Sequence, residues 1–379
     1  MSETAAVSRV LVVDDSPVTR LLLCRVLEAR GYQVESAESG EAALQRLAGR
    51  APDLLFLDVA LPGLSGLDVL RAVRAQGLDT AVILITASGS EAVAVEALRG
   101  GADDYLRKPF SNEEFAAVLE RTVRRLELSR RNAALQRELD EKRRQLEQEL
   151  ARAAEVQAGL LPRAAPTLPG WELAVRFYPA REVSGDFYDW QEVGRGSLAL
   201  TVGDVMGKGM AAALLMATVR AALRAVAPHH PPAEAVQLVA TALEPDLARA
   251  DSFVTLFQAR LEVPAQRLTY VDAGHGLAFV RRASGAVEAL GPRALPLGVL
   301  TEETYRENAV TLAPGDALVV YSDGLLDARP DLAQGEAPLA RVLAGARGAE
   351  ALAARLEQAA ERLGPPLDDL TILVLYHRA

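Results

Sequence analysis

Cysteine is nearly absent: the 379 residues include one, Cys24. No disulfide can form within a single chain, which points to a reducing compartment and a cytoplasmic location. Cys24 follows three leucines in an expected helix and is read as a small buried hydrophobe. Basic residues are outnumbered, leaving a net charge of −10. That argues against a nucleic-acid output domain, which needs basic patches that release counterions from phosphates. An acidic surface suits work on other proteins or cation binding. The opening MSETAAVSRV lacks the basic start and apolar core of a signal peptide. The longest Ala/Leu-rich run, 210–227, is interrupted by Arg220 and Arg224, so nothing reads as membrane-spanning.

Glycine and proline are also missing from residue 113 until Gly159 and Pro162, in a charged stretch rich in helix formers. One long helix over 113–161 is expected, about 70 Å long. With Asn132, Leu139 and Leu146 at heptad position a, Leu128, Leu135 and Lys142 fall at d, and Arg125 and Glu149 fit poorly at the ends. After Leu146 the spacing passes through Leu150, Ala153 or Ala154, and Leu160, an insertion of the kind that locally unwinds a supercoil. The stretch reads either as a parallel coiled coil joining two chains or as a solvated spacer, with the homodimer preferred. It separates two segments long enough to bury their own cores, giving an expected division into 1–124, 125–161 and 162–379.

In the first segment, short apolar runs alternate with helical patterns. VLVV (10–13), LLFL (54–57) and AVILIT (81–86) have the length and content of buried parallel strands in repeated βαβ units. Ligands of such sheets sit beyond the carboxyl ends of the strands. Asp14 and Asp15 follow the first run, Asp58 follows the second, Thr86 closes the third, and Lys108 follows DYLR. Ser16 and Pro17 read as N-cap and first helical residue. Three crowded carboxylates repel one another, and a hard divalent cation such as Mg²⁺ relieves this. Lys108 adds a positive charge for a phosphoryl oxygen and Thr86 a hydroxyl donor. One Asp after a strand is ordinary turn chemistry, but five matched positions are not explained that way.

With Asp14, Asp15, Asp58, Thr86, Tyr105 and the Lys108-Pro109-Phe110 triplet in place, the segment resembles the response-regulator receiver family. The resemblance implies a flavodoxin-like, doubly wound parallel sheet. It also implies Asp58 as phosphoacceptor for a sensor histidine kinase, Mg²⁺ held by Asp14, Asp15, Asp58 and the Ala60 carbonyl, Thr86 and Tyr105 as switch residues, and a cis bond before Pro109.

Pro162, Pro166 and Pro169 break the helix and open the second segment. Strand-like runs (WELAVRFYPA, SLALTVGD, FVTLFQARLE, RLTYVDAG, LAFVRR, DALVVYSDG, LTILVLY) and helical patterns at 210–227, 233–247 and 350–363 make an α+β pattern, a β-sandwich flanked by helices. Carboxylates again fall at strand ends: Asp186, Asp204, Asp323, Asp368 and Asp369. Without Cys or His neighbours such a set suits Mg²⁺ or Mn²⁺. Two ions can activate a water and clamp a phosphoryl group for in-line displacement. Absence of Cys from this segment removes the thiolate mechanism. GDVMGK (203–208) is one residue short of a phosphate-binding loop, with Gly209 in place of the Ser/Thr. SGDFY is like the diguanylate cyclase signature, which lacks the later GD, SDG and DD elements.

The set AEVQAGLLP, SGDFYDW, GDVMGKGMAAALLM, SFVTLF, DAGH, LPLGV, YSDG and DDLTILV resembles the SpoIIE-type branch of the PPM metal-dependent serine/threonine phosphatases. The resemblance implies Asp204, Asp323 and Asp368 as metal ligands with the Val205 carbonyl, Asp186 as a site carboxylate, and Asp369 sharing the last role. It implies a phosphorylated anti-sigma-factor antagonist as substrate. Ser184 stands where Gly is usual, and Gly276 where Asn often follows GH. Val205 and Met206 occupy the stretch in which eukaryotic members carry a His, leaving His275 as a possible helper. The whole reads as a phosphatase regulated by Asp58 phosphorylation. The alternatives are a phosphorylation-gated scaffold without turnover, and a phosphatase acting on its own Asp58.

Overall fold

The computed structural model describes residues 7–87, 91–194, 196–300, 302–361 and 368–379. The chain forms two compact units divided between Arg144 and Gln145.

In the first unit, β1 (Arg9–Val13), β2 (Gln33–Ala37), β3 (Leu54–Asp58), β4 (Ala81–Thr86) and β5 (Asp104–Arg107) form a parallel sheet in the order β2-β1-β3-β4-β5. Crossovers run through α1 (Pro17–Glu28), α2 (Gly40–Gly49), α3 (Gly66–Ala75) and α4 (Glu91–Arg99). Ser16, Ser39 and Ser65 start the first three by accepting main-chain N–H bonds from Thr19, Ala42 and Asp68. The apolar runs are buried on both faces. Val10, Val12, Leu54, Phe56, Ile83 and Ile85 meet Leu23 and Leu27, whereas Leu11, Val13, Leu55, Leu57, Val82 and Leu84 meet Val69, Leu70 and Val73. Cys24, expected to be buried, is half-buried, packed at the edge of the cluster in which α1 buries Leu23 and Leu27.

Helix α5 (Asn112–Leu160) is one unbroken element of 49 residues, within a residue of the expected span at each end. Its first turns bury Phe115, Val118, Leu119 and Leu126 in the first unit's core. Arg130 then pairs with Asp53 and Asp79, each at 2.9 Å. Further along, Leu135, Leu139 and Leu146 are 55–61% exposed, an apolar series left uncovered by the single chain. Leu160 is the last helical residue, two ahead of Pro162.

The second unit contains two antiparallel sheets. One has the order β13-β10-β9-β8-β7, built from β7 (Phe187–Glu192), β8 (Ser197–Val205), β9 (Val254–Glu262), β10 (Arg267–Ala273) and β13 (Asn308–Thr311). The other has the order β12-β11-β14-β15-β6, from β6 (Trp171–Tyr178), β11 (Ala278–Arg281), β12 (Val287–Ala289), β14 (Ala317–Tyr321) and β15 (Leu370–His377). Their inner faces share Leu200, Val202, Phe257, Val280, Leu318, Val320 and Leu373. Helices α6 (Met210–Val226) and α7 (Pro232–Arg249) cover the first sheet, burying Met216, Val219, Val236 and Val239. Helices α8 (Gly324–Ala328), α9 (Glu336–Val342) and α10 (Ala349–Glu361) cover the second, burying Leu325, Leu339, Leu352 and Leu356. The last two residues of the helical pattern expected over 350–363 lie outside the described residues.

Strand β7 (FYDWQE) is not among the strand-like runs expected from the sequence. Asp189 within it is buried and paired with Arg220 at 3.2 Å and Arg224 at 2.5 Å on α6. The same two arginines that interrupt the apolar run of α6 neutralise the strand it packs upon.

Candidate functional site

Three carboxylates converge at the carboxyl edge of the parallel sheet. Asp14 and Asp58 are buried and Asp15 exposed, and one oxygen of each lies within 4.8 Å of the others. Lys108 Nζ reaches Asp14 Oδ2 at 2.8 Å and Asp58 Oδ2 at 2.5 Å. The remaining oxygens are oriented by main-chain donors, Ser16 N to Asp14 at 2.9 Å and Ala60 N to Asp58 at 3.0 Å. Burial pushes the Asp14 carboxyl up, against the Lys108 and Ser16 hydrogen bonds that favour its charge. Burial alone would lower Lys108, but its bonds to the two carboxylates leave it raised overall. Thr86 is buried at the end of β4, Tyr105 is largely exposed on β5, and the bond before Pro109 is cis. An all-oxygen trio of this compactness fits a hard divalent cation.

A second set of carboxylates is assembled by strand register. Phe187 pairs with Gly203 across β7 and β8, which brings Asp186 to Asp204. Tyr321 pairs with Ile372 across β14 and β15, which brings Asp323 to Asp368 and Asp369. The Thr371 hydroxyl on β15 donates to Asp186 Oδ2 at 2.7 Å, tying one sheet to the other. Asp204 is pushed up to about 7, first by burial and then by Asp323 and Asp368, with Asp186 at hydrogen-bonding range. Asp186, almost wholly buried, is raised well above the usual carboxylate range by burial and by Asp204. Asp323 is raised by burial and Asp368. Lys208 Nζ lies 2.8 Å from Asp368 Oδ2.

Asp186, Asp204 and Asp323 crowd at the cost of their own ionisation, and together with Asp368 they present oxygen alone, a donor set that fits Mg²⁺ or Mn²⁺. They are spread more widely than the first trio, which among the described residues is the only group of three acidic, His or Cys side chains closing to within 4.8 Å. Asp369 is differently engaged. Its Oδ1 accepts from Ala180 N at 2.8 Å, and its Oδ2 from Ser184 Oγ at 2.6 Å and Gly185 N at 3.0 Å, so it clamps the loop before β7.

Comparison with known proteins bears on both sites. The sequence model of the response regulator receiver domain matches residues 10–120, and that of SpoIIE, stage II sporulation protein E, matches residues 194–378. The chain joins a response-regulator receiver domain to a SpoIIE-type domain. The receiver part is 44% identical over 126 residues to Response regulator MprA of Mycobacterium ulcerans (strain Agy99), covering 33% of this chain and 54% of that protein. The chain thus spans about half the length of the curated relatives it matches. The RsbU and RsbW domains of a Mycobacterium tuberculosis protein superpose with a TM-score of 0.50 at 28% identity, covering 56% of this chain and 62% of that one. The SiaA-PP2C domain of Pseudomonas aeruginosa, at 22% identity and a TM-score of 0.53, covers 62% of this chain and 98% of that chain and shares the fold.

Both departures from the SpoIIE-type pattern have structural partners here. Ser184 supplies the hydroxyl that Asp369 accepts. Gly276 has φ +71°, and a Cβ there would lie 2.7 Å from the Arg293 guanidinium carbon, while its N–H donates to both Asp272 oxygens at 3.0 Å. His275 is buried and pushed down to about 4, first by burial, and it is hydrogen-bonded to the Tyr321 main chain. Burial favours its neutral form, and its Nε2 is buried without a hydrogen-bond partner among the described residues. The motifs did not single out three residues of the second unit: Lys208, Thr371, and Gln157 near the end of α5. A lysine between two glycines after Asp204 was a signal for the first. The other two announce themselves only through contacts distant in sequence. No described helix is long and apolar enough to cross a membrane.

Proposed function

We propose that this protein is a two-component response regulator whose output is metal-dependent hydrolysis of a phosphoserine or phosphothreonine on a partner protein. Residues 1–124 receive a phosphoryl group, 125–161 link, and 162–379 hydrolyse. A sensor histidine kinase is the donor. Asp58 is the phosphoacceptor, Mg²⁺ is held by Asp14, Asp15, Asp58 and the Ala60 carbonyl, Lys108 meets the phosphoryl charge, and Thr86 and Tyr105 respond to it.

What supports the phosphatase reading most is the meeting of Asp186, Asp204, Asp323 and Asp368 from four separate strand ends. With the Val205 carbonyl they are the residues to hold Mn²⁺ or Mg²⁺. When bound, a pair of such ions polarises a phosphoryl oxygen and lowers the pKa of a water. Lys208, paired with Asp368, places a positive charge beside the site for an incoming phosphate. Asp369 and Thr371 keep the neighbouring strands in place. The partner class implied by the resemblance is an anti-sigma-factor antagonist, and the similarity to the RsbU and RsbW domains of a Mycobacterium tuberculosis protein accords with it. Two copies would pair through the uncovered leucines of α5. Ser184 and Gly276, the grounds for a non-catalytic scaffold, both fit an intact site, so no observation favours that alternative.

The deciding assay is Mn²⁺-dependent phosphate release from a panel of phosphorylated antagonist proteins of the same genome, with and without beryllofluoride on Asp58. One antagonist turned over, at a rate that beryllofluoride changes, is the expected result. Equal rates in both states overturn the regulatory half, and no turnover of any phosphoprotein overturns the catalytic half.

A further inference from the structure

Along the exposed second half of α5 one side chain is out of pattern. Gln157 retains 7% of its accessible surface, whereas Val156 beside it retains 68%. The Gln157 amide is paired with both main-chain groups of a residue that is itself wholly buried. Its Nε2 donates to Ser184 O at 2.8 Å, and Ser184 N donates to its Oε1 at 2.9 Å. Ser184 Oγ accepts from Asp186 N at 3.0 Å and donates to Asp369 Oδ2 at 2.6 Å. Between these, Gly185 is packed so closely that a Cβ would stand 2.7 Å from the Val205 carbonyl oxygen. The segment 184–186 is therefore held by the helix at its first residue, pressed on Val205 at its second, and carries a site carboxylate at its third.

We propose that Gln157 is a positioning residue of the carboxylate site: the last turns of α5 hold Asp186 in place through Ser184, so divalent-cation affinity depends on that latch. The inference rests on the reading of Asp186, Asp204, Asp323 and Asp368 as cation ligands. Its physical basis is the specificity of a carboxamide matched to one peptide N–H and one peptide C=O. Turning the helix by one residue presents Val156 or Ala158, and sliding it one turn of about 5.4 Å presents Ala153 or Leu161. None of these side chains can make either bond. Ser184 would keep a buried donor and a buried acceptor without partners, which favours a discrete release of the segment over a gradual one. A latch at the helix end gives the linker a means of controlling the site without touching substrate.

The test is calorimetric titration of Mn²⁺ into the full chain, with the receiver's cation site common to every arm. In the native protein, Asp204→Ala identifies the phosphatase-domain binding by removing it. Gln157→Leu should raise the dissociation constant of that binding about 10–100-fold, the usual consequence of losing an outer-shell partner. Gln157→Glu, which still accepts from Ser184 N but cannot donate to Ser184 O when ionised, should fall between. Val156→Ala, on the same turn, should match the native protein. Leu352→Ala, a core truncation in α10, should lower the melting temperature while leaving the dissociation constant alone, which separates positioning from mere stability. If the native protein and Asp204→Ala titrate alike, the reading of the site fails. If Asp204→Ala loses the binding but Gln157→Leu and Gln157→Glu keep the native constant, the latch alone is overturned. Should Gln157→Leu fail to fold, the constant of Gln157→Glu decides.

Discussion

A single methyl group placed at Gly324 tests the geometry of the phosphatase site. Gly324 follows Asp323, and a Cβ built on it would stand 2.1 Å from the Asp369 carbonyl oxygen, 2.9 Å from the carbonyl carbon and 3.1 Å from Asp368 O. All three are main-chain atoms, so no rotamer change relieves the clash. Restoring ordinary contact requires the Asp323 turn and the start of β15 to part by about 1 Å. Those two segments carry two of the four carboxylates. Overpacking of this kind costs about 1–3 kcal/mol, which a domain of ordinary stability survives. A misplacement of about 1 Å at a reacting centre costs roughly 100-fold in rate. Gly324→Ala should therefore lose about two orders of magnitude in Mn²⁺-dependent phosphatase kcat, with its circular dichroism unchanged and its melting temperature lowered by several degrees. Gly159→Ala, where a Cβ meets nothing within 4 Å, should keep native activity. A folded Gly324→Ala protein with native kcat and native Mn²⁺ dependence would refute the claim that Asp323 and Asp368 must hold their spacing.

Other outcomes follow from the same structure. Asp204, raised to about 7 mainly by burial, contributes stability in its protonated form that is complete below about pH 4 and lost as pH rises through about 7. In cation-free buffer, Asp204→Asn should gain on the native protein in melting temperature between about pH 5 and pH 8, and Mn²⁺ should reverse the order at the upper end; parallel profiles would contradict the crowding of carboxylates. Arg130→Ala removes ion pairs to the partly buried Asp53 and to the exposed Asp79, so the receiver's urea transition should shift by about 1–2 kcal/mol. A negligible shift would mean that α5 is held by its apolar turns alone. Leu139→Glu should convert a dimer to a monomer in sedimentation equilibrium, and a native protein already monomeric at tens of micromolar would leave α5 a spacer.

The parts of the fold that could be read directly were those whose burial is written in consecutive residues. VLVV, LLFL and AVILIT are apolar on both faces, so strand type, parallel pairing and the positions of Asp14, Asp58 and Thr86 at strand ends all follow from one pattern. The absence of glycine and proline marked α5 just as directly. Strand β7 escaped because its polar Asp189 is tolerated only through Arg220 and Arg224, 31 and 35 residues away. Short β12 and β13, of three and four residues, carry too little period to register. In the phosphatase site the ligand-type carboxylates were visible one by one, whereas their division of labour was not. Asp369 looks like Asp368 in the sequence, yet its oxygens go to Ala180, Ser184 and Gly185. Gln157 looks like the solvated glutamines elsewhere on α5, and only the fold brings Ser184 against it.

The most direct test of the central claim is single-turnover phosphate release from a phosphoserine protein substrate by the full chain, with Mn²⁺ present or chelated. The account predicts release that requires Mn²⁺ in the native protein and falls at least about 100-fold in Asp204→Asn. Release at the native rate from Asp204→Asn, or from chelated native protein, would contradict it.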